Sequence, residues 1–234
     1  MSCLASKSMK IVANILVILL AMWGSGASAQ TYTYKVKFGM VHAGAATLVQ
    51  NVEDGVLNSL FVMESSPWLS KLWTLSDSVM TEYVIDVGRL VSHTKAIHEG
   101  SYNRNYKVTF SDSNMATVNG KDKEVETQNL RDIPSLLYDL SLTQFHDGDT
   151  LQYLMWDGRG AGVLNLLVEH IDEPPFFRPF SETGWRLTPL NSTSKSRANQ
   201  IQLSMLFSIS FPHKPTRIEI DTKYGGVQMR LEDP

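Results

Sequence analysis

Ile201-Gln202-Leu203-Ser204-Met205-Leu206-Phe207-Ser208-Ile209-Ser210-Phe211 sets an apolar side chain at every odd position, with Gln202, Ser204, Ser208 and Ser210 between them. Successive side chains of a β-strand point to opposite faces, so this alternation reads as a strand with one face on a core and the other toward water. Two more stretches repeat it. Tyr32, Tyr34, Val36, Phe38 and Met40 oppose Thr33, Lys35 and Lys37, and Val79, Thr81, Tyr83, Ile85 and Val87 oppose Glu82 and Asp86. Further strands are expected near 43–52, 57–64, 90–98, 104–110, 114–118, 151–156, 163–171, 185–190, 216–221 and 226–232. Asp54-Gly55, Asn119-Gly120, Asp157-Gly158 and Gly225-Gly226 separate them with residues that tolerate positive φ.

Many short strands at nearly even spacing, without interleaved helices, imply an all-β domain: an antiparallel barrel or a strongly curved sheet, with a two-sheet sandwich as the competing architecture. One short helix interrupts the series. Asp132 is placed to cap it, Pro134 falls in its first turn, and Ile133, Leu136, Leu137 and Leu140 follow i, i+3, i+4, i+7 spacing. A helix this short is not stable alone, so its apolar stripe must plug a barrel opening or pack on the concave face. No linker or charge run divides the chain, and the expectation is one β-rich domain over residues 30–234.

Residues 1–29 read as a signal peptide: Lys7 and Lys10 are basic, Ile11 to Trp23 is apolar, and Ala27-Ser28-Ala29 is a small-x-small cleavage site before Gln30. The apolar run is shorter than the roughly 20 residues of a spanning helix, so no transmembrane span is expected in the mature chain. Cleavage discards Cys3, the single cysteine, and leaves no disulfide, thiol nucleophile or thiolate metal site. An exported, cysteine-free domain fits a bacterial periplasm, and Asn191-Ser192-Thr193 then reads as a polar turn. The formal charge of −3, with 19% charged residues, lacks the clustered basic surface that nucleic acid requires.

Several ordered motifs resemble a bacterial family, domain-of-unknown-function family 3108. They are Tyr34-Lys35-Val36-Lys37-Phe38-Gly39 with Gly44; Asp77 and Tyr83-Val84-Ile85-Asp86; and Glu99-Gly100-Ser101-Tyr102-Asn103-Arg104 ahead of Val108 and Phe110. The helix segment Asp132 to Leu140, the Gly148-Asp149 turn, Pro215-Thr216-Arg217-Ile218 and Gly226-Val227 complete the match over roughly residues 32–232. The family often carries a Trp and an acidic pair before its closing proline strand, where this chain has Phe207-Ser208-Ile209-Ser210. The resemblance implies an exported, mostly β protein of Gram-negative bacteria and brings no activity or catalytic residue.

Chemistry is sparse. His42, His93, His98, His146, His170 and His213 form no i, i+4 pair and no His-x-His; His93 and His98 fall on opposite faces of one expected strand. No metal site and no cofactor is expected. No Gly-x-Ser-x-Gly occurs, and Ser135 reads as a first-turn polar residue. Glu82 and Asp86, on one strand face, would stand roughly 13 Å apart, beyond the ~5–9.5 Å of two-carboxylate glycosidases. No catalytic residue is assigned, and an enzyme acting on polysaccharide is the reading this spacing supports least. Gly158-Arg159-Gly160-Ala161-Gly162 lies between strands and reads as a hairpin loop, not a phosphate cradle.

Two apolar segments fall in loop context: Trp68, Leu69, Leu72, Trp73 and Leu75, and Phe176, Phe177 and Phe180 among Pro174, Pro175 and Pro179. Either both loops complete the core, or they form a hydrophobic mouth. Trp68, Leu72, Trp73, Phe176, Phe177 and Phe180 are the candidate binding residues. The expectation is a non-catalytic periplasmic envelope protein that binds an amphiphilic or hydrophobic ligand such as lipid. The alternative is an assembly module contacting another envelope protein through these aromatic loops.

Overall fold

The computed structural model describes residues 29–71, 74–156, 158, 160–173, 182–190, 202–222 and 225–232. The strands are β1 (Ala29–Phe38), β2 (Val41–Glu53), β3 (Val56–Ser65), β4 (Ser76–Val84), β5 (Arg89–Glu99), β6 (Tyr102–Phe110), β7 (Met115–Val118), β8 (Lys121–Glu124), β9 (Leu130–Arg131), β10 (Thr150–Trp156), β11 (Ala161–Glu173), β12 (Glu182–Pro189), β13 (Gln202–Phe207), β14 (Pro215–Thr222) and β15 (Gly225–Leu231). One helix, α1 (Ile133–Ser141), separates β9 from β10. The expected cleavage segment, apart from Ala29, lies outside the described residues, as does Asn191-Ser192-Thr193.

All the described strands belong to one sheet, in the order β8-β7-β6-β5-β4-β3-β2-β1-β15-β14-β13-β12-β11-β10-β9. Sequence neighbours pair antiparallel, β1 pairs antiparallel with β15, and β9 adds one parallel pair to β10. The sheet is therefore strongly curved and is not closed by hydrogen bonds: β8 and β9 remain its two edges. Its ends meet through side chains. Leu90, Val108, Phe110 and Ala116 from β5–β7 share a buried cluster with Leu130 of β9 and Trp156 of β10, and the Phe110 and Trp156 rings meet edge-on at 5.2 Å. Each edge discourages further pairing. β8 is Lys-Asp-Lys-Glu with all four residues exposed, and β9 has two residues.

The main core fills the concave side. Tyr32, Tyr34 and Val36 of β1, Leu48 of β2, Leu166 and Val168 of β11 and Phe207 of β13 surround Leu136, Leu137 and Leu140 of α1. The helix thus packs on the concave face through Leu136, Leu137 and Leu140, whereas Ile133, expected in the same stripe, is 38% exposed in the first turn. Asp132 is its N-cap, and Asp132 with Ser135 forms a reciprocal capping box.

The strand expected over 201–211 is shorter. β13 ends at Phe207, and Ile209 and Phe211 are exposed at 44% and 58%. Ser208 turns the chain out of the ladder: its N–H donates to Lys214 O at 2.9 Å, and its Oγ accepts from Lys214 N at 2.8 Å. Likewise β4 ends at Val84, which leaves Asp86 in a turn.

Backbones approach most closely where β2 leaves its bulge opposite Val36/Lys37. A Cβ on Gly44 would lie 1.9 Å from the Glu64 carbonyl oxygen, so any side chain there forces β2 and β3 apart. Gly44→Ala is expected to lower stability by about 2 kcal/mol or more, read as a lower urea midpoint; Ala45→Ser, one residue on and exposed, should leave it unchanged.

Candidate functional site

Opposed residues of an antiparallel ladder share a face, so the register sorts the concave wall of β2–β6 into rows. One row runs Gln50, Ser59, Thr81, His93, Val108 and faces α1; the next is Leu48, Phe61, Val79, Lys95, Tyr106; the third is Ala46, Met63, Asp77, Ile97, Arg104.

The first row anchors the helix. Thr81 Oγ1 donates to Asp132 Oδ2 at 2.5 Å and His93 Nδ1 donates to the same oxygen at 2.8 Å, while Asp132 Oδ1 accepts from Ser135 N at 3.1 Å and Ser135 Oγ at 2.8 Å. Gln50 Nε2 adds a bond to Pro134 O at 3.0 Å. These five hydrogen bonds join six buried residues, with Asp132 1% and Ser135 0% exposed. Ser, His and Asp meet here, but the wiring is not that of a nucleophile: the serine hydroxyl and the imidazole both bond the carboxylate, not each other. The cluster fixes a helix start.

A second polar group holds the helix farther along. Asp139 accepts from Tyr83 OH at 2.8 Å and pairs with Arg131, whose guanidinium lies 5.1 Å from the Tyr153 ring centroid. Burial, followed by the adjacent Asp139 charge, raises the Tyr83 phenol pKa. Burial also raises those of Tyr34 and Tyr153.

Beyond the helix the wall changes character. Phe61, Met63, Val79 and Ile97 are half-buried, and Lys95, Asp77 and Arg104 stand among them. Arg104 lies 4.2 Å over the Tyr106 ring. Burial raises the Asp77 carboxyl pKa, partly offset by the His98 N–H it accepts at 3.1 Å and by Lys95. The β1–β2 turn, the β3–β4 connection and the β5–β6 turn all project at this end of the wall, since Gly44 opposes Ser65, Leu75 bridges Glu99, and Glu99 opposes Tyr102. The opposite end carries the C-terminus of α1 and a cleft of about 510 Å³ lined by Gln30, Tyr32, Pro212, Lys214, Leu231 and Glu232.

Of the residues expected to bind, Trp68 lies in the β3–β4 connection and is 48% exposed. Leu72, Trp73, Phe176, Phe177 and Phe180 lie outside the described residues. Glu82 and Asp86 do not share a strand face: Glu82 lies on the convex side with Ser92, and Asp86 is in the turn. His93 and His98 do face opposite ways, the second bonding Asn103 at 3.0 Å. Among the described residues no three His, Cys, Asp or Glu side chains are grouped to hold a metal ion. No helix of the described residues is long and apolar enough to cross a membrane. No sequence signal marks Lys95 or Ile97 as a site residue, and Arg104 enters only within the Glu99–Arg104 motif. Alternation gives each strand its faces, but only the register brings these residues beside Val79 and Met63.

A curled, open-seamed antiparallel sheet with a helix seated in its concave side defines a barrel-like β protein. The chain belongs to the family described as proteins of unknown function, DUF3108, whose model matches residues 33–232, as the motifs implied. Among solved structures it is similar in fold to a beta-barrel-like protein of the domain-of-unknown-function family DUF1849 from Brucella abortus. The identity is 8%, the match covers 87% of this chain and 95% of that one, and the TM-score is 0.50. No curated protein matches the chain.

Asp132→Ala removes the shared acceptor of Thr81, His93 and Ser135 and is expected to cost about 3 kcal/mol or more. Asp132→Asn keeps an acceptor oxygen and should cost less, measured by urea unfolding. The buried phenols have folded pKa values above their unfolded values, so they favour the folded state below pH ~10 and that contribution is lost as pH rises further. Stability should therefore fall through the alkaline range, and Tyr34→Phe should flatten that fall in melts taken at successive pH values.

Proposed function

We propose that this is an exported, periplasmic envelope protein that binds an amphiphile in the half of its concave wall beyond α1. One observation carries the reading: the helix-facing row is buried, whereas Phe61, Met63, Val79 and Ile97 continue the same apolar wall half-buried at the other end. Apolar surface in a concave wall with a few convergent polar groups is the usual form of a small-molecule site. Lys95, Arg104 and Asp77 supply those groups at the margin, where a polar head can meet them while a hydrocarbon chain lies on the floor.

The export reading rests on the basic, apolar and small-x-small order of residues 1–29. No catalytic role is assigned: among the described residues the Ser135-His93-Asp132 cluster is consumed in capping and carries no nucleophile–base bond. The half-exposed Trp68 also favours the second reading, contact with another envelope protein through the β3–β4 connection.

Organic extraction and mass spectrometry of protein purified from the periplasm should yield an amphiphile in near-equal amount with the chain. Val79→Asp and Ile97→Asp place carboxylates on the floor and should lower uptake of a fluorescent fatty-acyl probe by about tenfold, a difference of roughly 1.4 kcal/mol, with little change in Tm. A wild-type protein that yields no amphiphile and takes up no probe overturns the reading. If Trp68→Ser then abolishes capture of a defined envelope protein, the assembly reading replaces it.

A further inference from the structure

The end of the sheet opposite the helix carries large apolar side chains that no core claims. Met40, at the tip of the β1–β2 turn, is 98% exposed; Phe38 and Val41, which close that hairpin, are 42% and 53% exposed; Trp68 and Tyr102 are 48% and 47% exposed. Gly39 at φ +57 makes the two-residue turn possible and drives Met40 outward. These residues come from three separate connections, and the ladder register brings all three to one end. Aromatic rings and an aliphatic tip, each on a short turn of a rigid sheet, are the side chains that settle at a lipid–water boundary.

Charge separates the two ends. Around the apolar residues stand exposed Lys37, Lys71 and Arg104 with half-buried Lys95, against exposed Glu64 and half-buried Asp77 and Glu99. The helix end carries Asp54, Asp86, Asp147 and Asp149 in its turns and exposed Asp172 near the end of β11, with Lys214 as a cation among them and Arg89 paired to Asp112. An anionic surface therefore repels the helix end and admits the other, and the attraction of each basic side chain adds to apolar insertion.

We propose that this end docks on an anionic lipid bilayer, with Met40, Phe38, Val41 and Trp68 entering the interface. The occupant is the bilayer surface itself. The inference goes beyond the binding of a single amphiphile and stands on different apolar residues, although a docked mouth would face its ligand's source.

Sedimentation with vesicles tests it, using the processed protein. The wild type should bind vesicles of phosphatidylglycerol in phosphatidylethanolamine, bind phosphatidylcholine vesicles at least about tenfold more weakly, and lose binding as salt rises. Met40→Asp should cut binding to the anionic vesicles about tenfold or more with Tm unchanged, since the residue touches no core. Wild-type protein that stays in solution, or Met40→Asp that sediments like wild type, overturns the proposal. A concentration-dependent dimer that Met40→Asp dissociates, without vesicle binding, overturns it in favour of self-association. The ligand reading is scored separately: Met40→Asp should keep its extractable amphiphile, and Val79→Asp should lose the amphiphile yet still sediment.

Discussion

The buried carboxylate of Asp132 decides how the inside of this sheet is divided. It accepts from the helix backbone, from Ser135, from Thr81 on β4 and from His93 on β5, so one side chain both starts α1 and fastens it to two strands. A carboxylate taken out of water is costly unless its lone pairs are filled, and here four donors fill them. The consequence is positional. With its start held under the middle of β4 and β5 and its far end held by Ser141 O accepting from His213 N, the helix occupies one half of the concave side and leaves the other half to different chemistry.

Much of the fold was legible because it rests on local physics. Alternation across Tyr32, Tyr34 and Val36 follows from a sheet with one wet and one dry face, and the Asp132-Ile133-Pro134 start of the helix follows from orphan N–H groups that need an acceptor. β8 and β9 were not legible. Lys-Asp-Lys-Glu has no apolar face to alternate, and Leu130-Arg131 is too short to show a period; both exist because a neighbouring strand offers a ladder. Ile209 and Phe211 misled for the opposite reason: they keep the period of β13 after Ser208 has turned the chain away, and periodicity does not register a backbone that has changed direction.

The site was less legible than the fold. Trp68 stood out as an aromatic residue in a loop, but Met40 looked like the last core position of β1, because a hairpin tip and a buried residue fall on the same alternation. Lys95 and Arg104 lie on different strands and become neighbours of Val79, Met63 and Asp77 only through pairings between β3, β4, β5 and β6. The family, DUF3108, confirms the order of the motifs but adds no chemistry, so the placement of these side chains carries the functional argument.

The seam between β5–β7 and β9–β10 distinguishes this sheet from a pipe. A pipe is closed by backbone bonds, whereas the overlapping margins of this scroll touch through the side chains of Phe110, Trp156 and Leu130, and Asp132, next to β9, ties that margin to Thr81 and His93. The girth of the roll is thus set at the seam by side chains and not by a ladder.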